Sequence, residues 1–204
     1  MKVSHRELEA CRAGPLAWVQ ARLSGGSTFS RFGYNQALLN AIRKYHKSGD
    51  DAPSARRHLK ELIDRNFKNE SRIDETEDAL QSYISWHEAS GTVVADTNIR
   101  LSYGIGGYLE LGGLITRLDV IPTGYRAVLL GPLGAQWKSQ LRMPLIQDAI
   151  AIKYGRPVST VSVGIQDLDG GNLQQTTYTV DEIQRARADF RRLGKTIARA
   201  YGTS

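Results

Sequence analysis

Few side chains in this sequence combine a reactive type with a useful position. Asp96, Glu110, Asp119 and Lys138 stand in or beside the stretch Gly107–Asp148, which reads GYLELGGLITRLDVIPTGYRAVLLGPLGAQWKSQLRMPLIQD. Carboxylates on two neighbouring strands, with a lysine just past the second, hold Mg²⁺ or Mn²⁺ beside an attacking water. The cation lowers the water's pKa and stabilises the charge that develops on a phosphoryl group. The stretch has a backbone suited to that chemistry. Two strand-like runs, Tyr108–Ile121 and Tyr125–Leu130, meet at the turn Pro122-Thr123-Gly124, and a helix-like run opens near Arg142. The acids and the lysine are mostly absent from the places that chemistry requires. Ser, His and Asp form neither a nucleophile elbow nor a paired His–Ser pattern. Cys11 is the only cysteine, which excludes an internal disulfide, a cysteine zinc site and a four-cysteine cluster.

The elements that must position these residues follow from the hydrophobic period. The 204 residues suffice for one domain with a real core, at 41% hydrophobic and 24% charged. Ser4–Glu7 reads as a capping box opening a helix that ends at Gly14-Pro15, and Leu16, Trp18, Val19 and Leu23 form a short apolar run. Ser24–Ser27 is a loop. Helices are expected over Phe32–Lys47, Ser54–Lys68 and Thr76–Glu88, the last with the acidic run 74–78 at its N-terminus, where the helix dipole favours carboxylates. His46 falls near a helix C-terminus, where a cationic imidazole is favoured, and His87 at a core edge. From Gly91 the period becomes two. Strands are expected over Thr92–Leu101, Tyr108–Ile121 and Tyr125–Leu130, with Gly104, Gly106 and Gly107 as a hairpin turn. There follow a helix Arg142–Tyr154, strands Val158–Ile165 and Gln175–Tyr178 around a glycine-containing turn, and a last helix opened by the capping box Thr179–Glu182. The reading is α/β with a mixed central sheet flanked by helices. It gives one domain over 1–204: a helical part to about 90, a sheet core over about 91–180, and a C-terminal helix over about 181–204.

Net charge is +6. The first fifty and last twenty-four residues carry the basic excess, and residues 51–90 are acidic. A basic excess suits an anionic partner such as DNA. No apolar run reaches a membrane span, and the N-terminus has no apolar signal core, so the expectation is a cytoplasmic protein without a membrane partner.

The order of elements resembles the RecB-like branch of the PD-(D/E)XK nuclease superfamily, the group that includes AddB-type and CRISPR-associated RecB-type exonucleases. The residues carrying the likeness run along nearly the whole chain. Val3-Ser-His-Arg-Glu-Leu-Glu-Ala-Cys-Arg-Ala-Gly-Pro-Leu-Ala-Trp18 is similar to the family's opening segment. Gly33–Ala37 stands at its GxxxH, Leu80-Gln-Ser-Tyr83-Ile-Ser-Trp86 matches lxxYxxW, and Gly113-Leu-Ile-Thr-Arg-Leu-Asp119 meets GxiDRiD. The resemblance implies a restriction-endonuclease-like core with an N-terminal helical insert. It also implies which positions would bind metal, and there this chain departs from the pattern. Ala37 replaces the metal-binding His, and Thr116 the first Asp. The DxK motif falls on Val128–Leu133, where Leu129, Leu130, Gly131 and Pro132 offer neither acid nor lysine. Gln140 and Gln147 both lack the Tyr four residues on that QxxxY requires.

The implied function is that of a catalytically inactive nuclease fold. It would act as a DNA-binding or structural subunit of a DNA-processing or anti-phage complex, beside a larger helicase, ATPase or nuclease subunit. No cofactor is expected. Candidate DNA contacts are Arg117, Lys138 and Arg142 around the old cleft and Arg185, Arg187, Arg191 and Arg192 on the last helix. Two alternatives differ from this reading. A protein–protein scaffold would make no DNA contact; its Leu129–Leu133 run reads first as a filled core and second as an apolar docking surface. An active Mg²⁺ or Mn²⁺ exonuclease would use displaced ligands among Asp96, Glu110, Asp119 and Lys138, although alternation turns Asp119 away from the Thr116 face and Glu110 lies about 20 Å up the strand.

Overall fold

Among the described residues, one mixed sheet of six strands is organised around a long central strand, Leu109–Ile121. The elements in order are β1 (Lys2–Ser4), α1 (Leu8–Ala13), α2 (Pro15–Leu23), α3 (Tyr34–Lys47), α4 (Ala52–Asn66) and α5 (Glu70–Ser90). They continue with β2 (Val93–Ile105), β3 (Leu109–Ile121), β4 (Gly124–Leu130), α6 (Arg142–Lys153), β5 (Val161–Gln166), β6 (Leu173–Thr176) and α7 (Val180–Gly202). The computed structural model describes residues 1–24, 34–167 and 171–202; most of the expected Ser24–Ser27 loop, together with Phe32, Gly33 and Asp169-Gly170, lies outside them.

β3 pairs antiparallel with β2 along almost its whole length. Its other edge is shared. β1 runs parallel to its start at Glu110–Gly112, and β4 antiparallel to its end at Arg117–Ile121. The sheet then continues through parallel β5 and antiparallel β6. The ladder of β4 with β3 stops at Val128, while its ladder with β5 runs on to Leu130. The two strands therefore fork, and β3 is unpaired on that edge between its two partners.

Helices cover both faces. Leu118, Ala127, Leu129, Val161, Val163 and Ile165 share a core with Leu145, Ile146 and Ile150 of α6 and Phe190 of α7, with Trp18 and Val19 of α2 beside them. The insert α3–α5 has its own core, centred on Ile42, Tyr45, Leu59, Leu80 and Tyr83, against which Leu130 packs. It meets the other sheet face where the Arg117 guanidinium lies over the rings of Trp86 (4.3 Å) and Tyr83 (5.3 Å).

The expected architecture, α/β with a mixed sheet between helices, is what the chain forms, and several local expectations need correction. Lys2–Ser4 is a strand, not a helix lead-in. Three residues are too few to show a period, and Val3 is buried against β3. The Ser4–Glu7 box forms by half: Glu7 Oε2 accepts the Ser4 amide at 3.2 Å, while Ser4 Oγ accepts from Arg6 rather than from Glu7. The second box forms fully, with Thr179 N–H donating to Glu182 Oε2 (2.8 Å) and Glu182 N–H to Thr179 Oγ1 (3.3 Å). α5 begins six residues before Thr76, capped by Asn69, whose side chain accepts from the Arg72 amide. The acidic run therefore occupies the second and third turns, not the N-terminus. Val158–Thr160 is a 3₁₀ turn leading into β5.

Candidate nucleic-acid cleft

The fork between β3 and β4 opens into a cleft of about 580 Å³. Leu114 and Thr116 of β3, Leu129 and Leu130 of β4 and Ile165 of β5 line it, with Leu38 and Leu39 of α3 opposite. The loop Gly131–Gly134 and Trp137 form one side, and His5, Arg6, Gln140 and Arg142 complete the lining. Among the described residues, no carboxylate lines it. The positions where the resemblance implies metal ligands therefore converge in space as neutral or apolar groups. Thr116, Leu129, Leu130, Gly131 and Pro132 all line this cleft, and Ala37 is fully buried in the insert core, next to lining Leu38. Thr116 Oγ1 accepts the Leu130 amide at 3.3 Å, which returns to the forked backbone one hydrogen bond that the ladder no longer supplies.

The polar part of the lining is cationic. The chain reverses from β1 into α1 at His5 and Arg6. The His5 ring packs on Gly113, where a Cβ would fall 2.2 Å from Cδ2; with φ at +134°, that position suits glycine on both counts. His5 Nε2 meets the Leu114 carbonyl at 3.1 Å, and its Nδ1 is buried without a partner. Burial first, then Arg142 and Arg6, push its pKa down to about 4, so it is neutral near pH 7. Arg142 is half-buried. Its amide donates to Glu9 and its Nε to Gln140 at 2.7 Å. Burial and the nearby Arg6 lower its pKa, against the attraction of Glu9. Lys138 is exposed beside the cleft, its ammonium 5.7 Å from the Trp137 ring centroid. A second depression of about 820 Å³ shares Asn35, Leu38, Gly131 and Pro132 with the cleft, and its far wall carries Glu75, Asp78 and Asp167. Arg72 lies among these acids, so the second depression carries both signs of charge, whereas the charged side chains of the cleft are arginines.

Of the residues expected to contact DNA, Arg142 lines the cleft and Lys138 adjoins it. Arg117 does not, and this corrects the expectation. It is fully buried on the opposite sheet face, its Nε donates to Asp119 at 2.7 Å, and its Nη1 bonds Gln166. Arg187 is committed to α6, gripping Asp148 with two bonds of 2.6 Å while Tyr103 donates to the same carboxylate. Arg185, Arg191 and Arg192 are exposed on α7, and none of them lines the cleft.

The candidate displaced ligands are dispersed. Asp119 is fully buried, shared between Arg117 and Arg126, whose Nη2 lies 2.8 Å away. Glu110 pairs with Lys2 at 2.8 Å and accepts from Ser102; the Lys2 bond holds its pKa below the usual carboxylate value. Asp96 accepts from Tyr154 at the β2 bulge. Gln147 is structural, holding the Tyr178 backbone and the Val158 carbonyl.

Sequence reasoning missed two constellations. One is the Tyr103–Asp148–Arg187 clamp, in which a buried carboxylate is held by a partly exposed arginine and whose members lie on three distant elements. The other joins His46, Asp50 and His87, whose donor atoms all lie within 4.8 Å of one another. His46 is not the cation expected at its helix end: burial lowers its pKa to about 4, which outweighs the opposing bond to Asp50.

The sequence matches no protein-family model and no curated protein. Among solved structures, one described as "Crystal structure of SSO0001" aligns over 86% of this chain and 83% of its own, at 10% identity and a TM-score of 0.30. Among the described residues, no helix is long and apolar enough to cross a membrane.

Proposed function

We propose that this chain is a RecB-like nuclease-fold protein without nuclease chemistry, which binds the phosphate backbone of DNA at the mouth of the forked-strand cleft. It serves as a cytoplasmic subunit beside a larger DNA-processing enzyme. The observation that carries the reading is the lining of the cleft among the described residues: no carboxylate, a neutral or apolar floor, and two arginines. Oxygen-rich sites hold Mg²⁺ and Mn²⁺, and this lining offers no such site. What it offers instead is cationic. Arg6 and Arg142 have no ion-pair partner among the described residues, and Lys138 adds a third cation beside Trp137.

Fluorescence anisotropy with labelled single- and double-stranded oligonucleotides tests the reading. Three phosphate contacts give a slope of log affinity against log salt of about −2 on single strands and about −3 on duplex. Arg6→Glu, an exposed change, should weaken binding at least tenfold and flatten that slope by about one contact or more. A salt-independent response, or an Arg6→Glu variant that binds like the parent, would refute the DNA reading. In that case the protein would act through a protein partner alone.

A further inference from the structure

We propose that His46, Asp50 and His87 form a binding site for one divalent d-block cation of the Zn²⁺ class, on the helical insert and separate from the cleft. His46 Nδ1 lies 2.7 Å from Asp50 Oδ1, and His87 Nε2 lies 3.4 Å from Asp50 Oδ2. The two imidazole centroids are 4.8 Å apart with planes at 86°, so both rings present a nitrogen to one carboxylate. A tetrahedral site with bonds of about 2.0–2.1 Å separates its ligand atoms by about 3.3 Å. These two contacts, one to each Asp50 oxygen, lie on either side of that value, and the ligand atoms of the three residues all lie within 4.8 Å of one another.

The backbone brings Asp50 to this place by a specific turn. α3 ends in a Schellman motif: Gly49 N–H bonds the His46 carbonyl at 3.3 Å and Asp50 N–H bonds the Tyr45 carbonyl at 3.0 Å. Gly49 takes the left-handed conformation (φ 76°), and so does Asp50 (φ 59°), a region that side-chain-bearing residues seldom enter and Asp tolerates. The carboxylate is thereby turned back over His46, one helical turn earlier. His87 reaches the same point from α5.

The surroundings fit a ligand set. His46 Nε2 hydrogen-bonds the Tyr83 hydroxyl at 2.7 Å, which orients the ring and leaves Nδ1 for the ion, as metal-binding histidines are commonly held from behind. The side chains of His46 and His87 are each 8% exposed and that of Asp50 is 50% exposed. The site is therefore closed on its inner side and open on the outer, where water completes the coordination. His87 turns its Nε2 to Asp50, while its Nδ1, on the other side of the ring, is buried with no hydrogen-bond partner among the described residues. Two imidazoles and one carboxylate favour Zn²⁺, Co²⁺ or Ni²⁺ over Mg²⁺ or Ca²⁺, which prefer oxygen. A bound ion would clip the end of α3 to α5.

The test uses the full chain, stripped with a chelator and titrated with Co²⁺ by visible absorption and with Zn²⁺ by calorimetry. The expected result is one equivalent per chain with micromolar or tighter affinity, visible Co²⁺ bands of tetrahedral intensity, and a Tm raised by about 5–10 °C at a hundredfold excess of Zn²⁺ over Kd. Asp50→Asn and His87→Gln should each weaken binding at least a hundredfold, and Tyr83→Phe by about 10–100-fold. His58→Gln, on the partly exposed histidine of α4, should leave affinity unchanged. Asp50 is half-exposed, so Asp50→Asn decides the matter even if His87→Gln fails to fold. Binding below one equivalent in the parent, or equal affinity in the parent and Asp50→Asn, would overturn the proposal and leave a hydrogen-bonded cluster only.

Discussion

The two faces of the β3–β4 fork differ sharply in chemistry. On the cleft face stand Leu114, Thr116, Leu129 and Ile165, with no acid among the described lining residues. On the insert face the polar groups form one connected series. Asp50 bonds His46, His46 bonds Tyr83, the Tyr83 ring lies under Arg117, and Arg117 is held by Asp119, which also holds Arg126. Buried charge that is fully paired belongs to structure, whereas an unpaired cation at a cleft mouth is free to meet a ligand. The comparison teaches that acids on a central strand need not serve the cleft beside it. Here they hold the insert to the sheet.

The strongest way to break the comparison is Asp119→Ala. If Asp119 is structural, the substitution leaves Arg117 buried and unpaired, and stability falls by about 3–5 kcal/mol in a denaturant titration. A stability loss below 1 kcal/mol would return Asp119 to the list of functional acids. On the cleft side, the depressed pKa of His5 makes a pH prediction. The unfolded chain binds a proton near pH 6.5 that the folded chain refuses until about pH 4. The stabilisation is therefore complete above pH 6.5 and is lost as pH falls to 4, by about 3 kcal/mol. Unfolding curves of the parent and His5→Asn across pH 7 to 4 should converge as the pH falls. A smaller effect is expected at the clamp between α6 and α7. Asp148→Asn removes the charge on which Arg187 closes, and because Arg187 is partly exposed the loss should be about 1–2 kcal/mol. The smallest is Thr116→Val, which forfeits one long hydrogen bond to the Leu130 amide and should cost less than about 1 kcal/mol, with DNA affinity unchanged.

These residues also mark what could be read before folding. The β3–β4 hairpin, the helix from Arg142 and the Thr179–Glu182 box were legible because each carries its signal within a few residues: a turn triplet, a 3.6 period, a reciprocal cap. The approach of Thr116 to Leu129 follows from the expected β3–β4 hairpin, whereas the fork beyond it was not legible, since no local pattern predicts one. Arg117 was misread because its neighbours Tyr83, Trp86 and Gln166 come from elements 30 or more residues away, and alternation says which face a side chain takes but not what covers that face. β1 was missed because three residues show no period. The His46–Asp50–His87 group was missed for two reasons: the positive φ at Asp50 reverses the chain just where the sequence reads only as a break, and His87 joins from another helix.

The most direct test of the cleft reading is an oligonucleotide titration with and without Mn²⁺ at two salt concentrations, following binding and strand integrity together. The account predicts binding that weakens steeply with salt, is indifferent to Mn²⁺, and leaves the DNA intact. Cleavage that requires Mn²⁺ would contradict it, and its survival in both Asp50→Asn and His87→Gln would place the catalytic ligands at the cleft rather than at the histidine cluster.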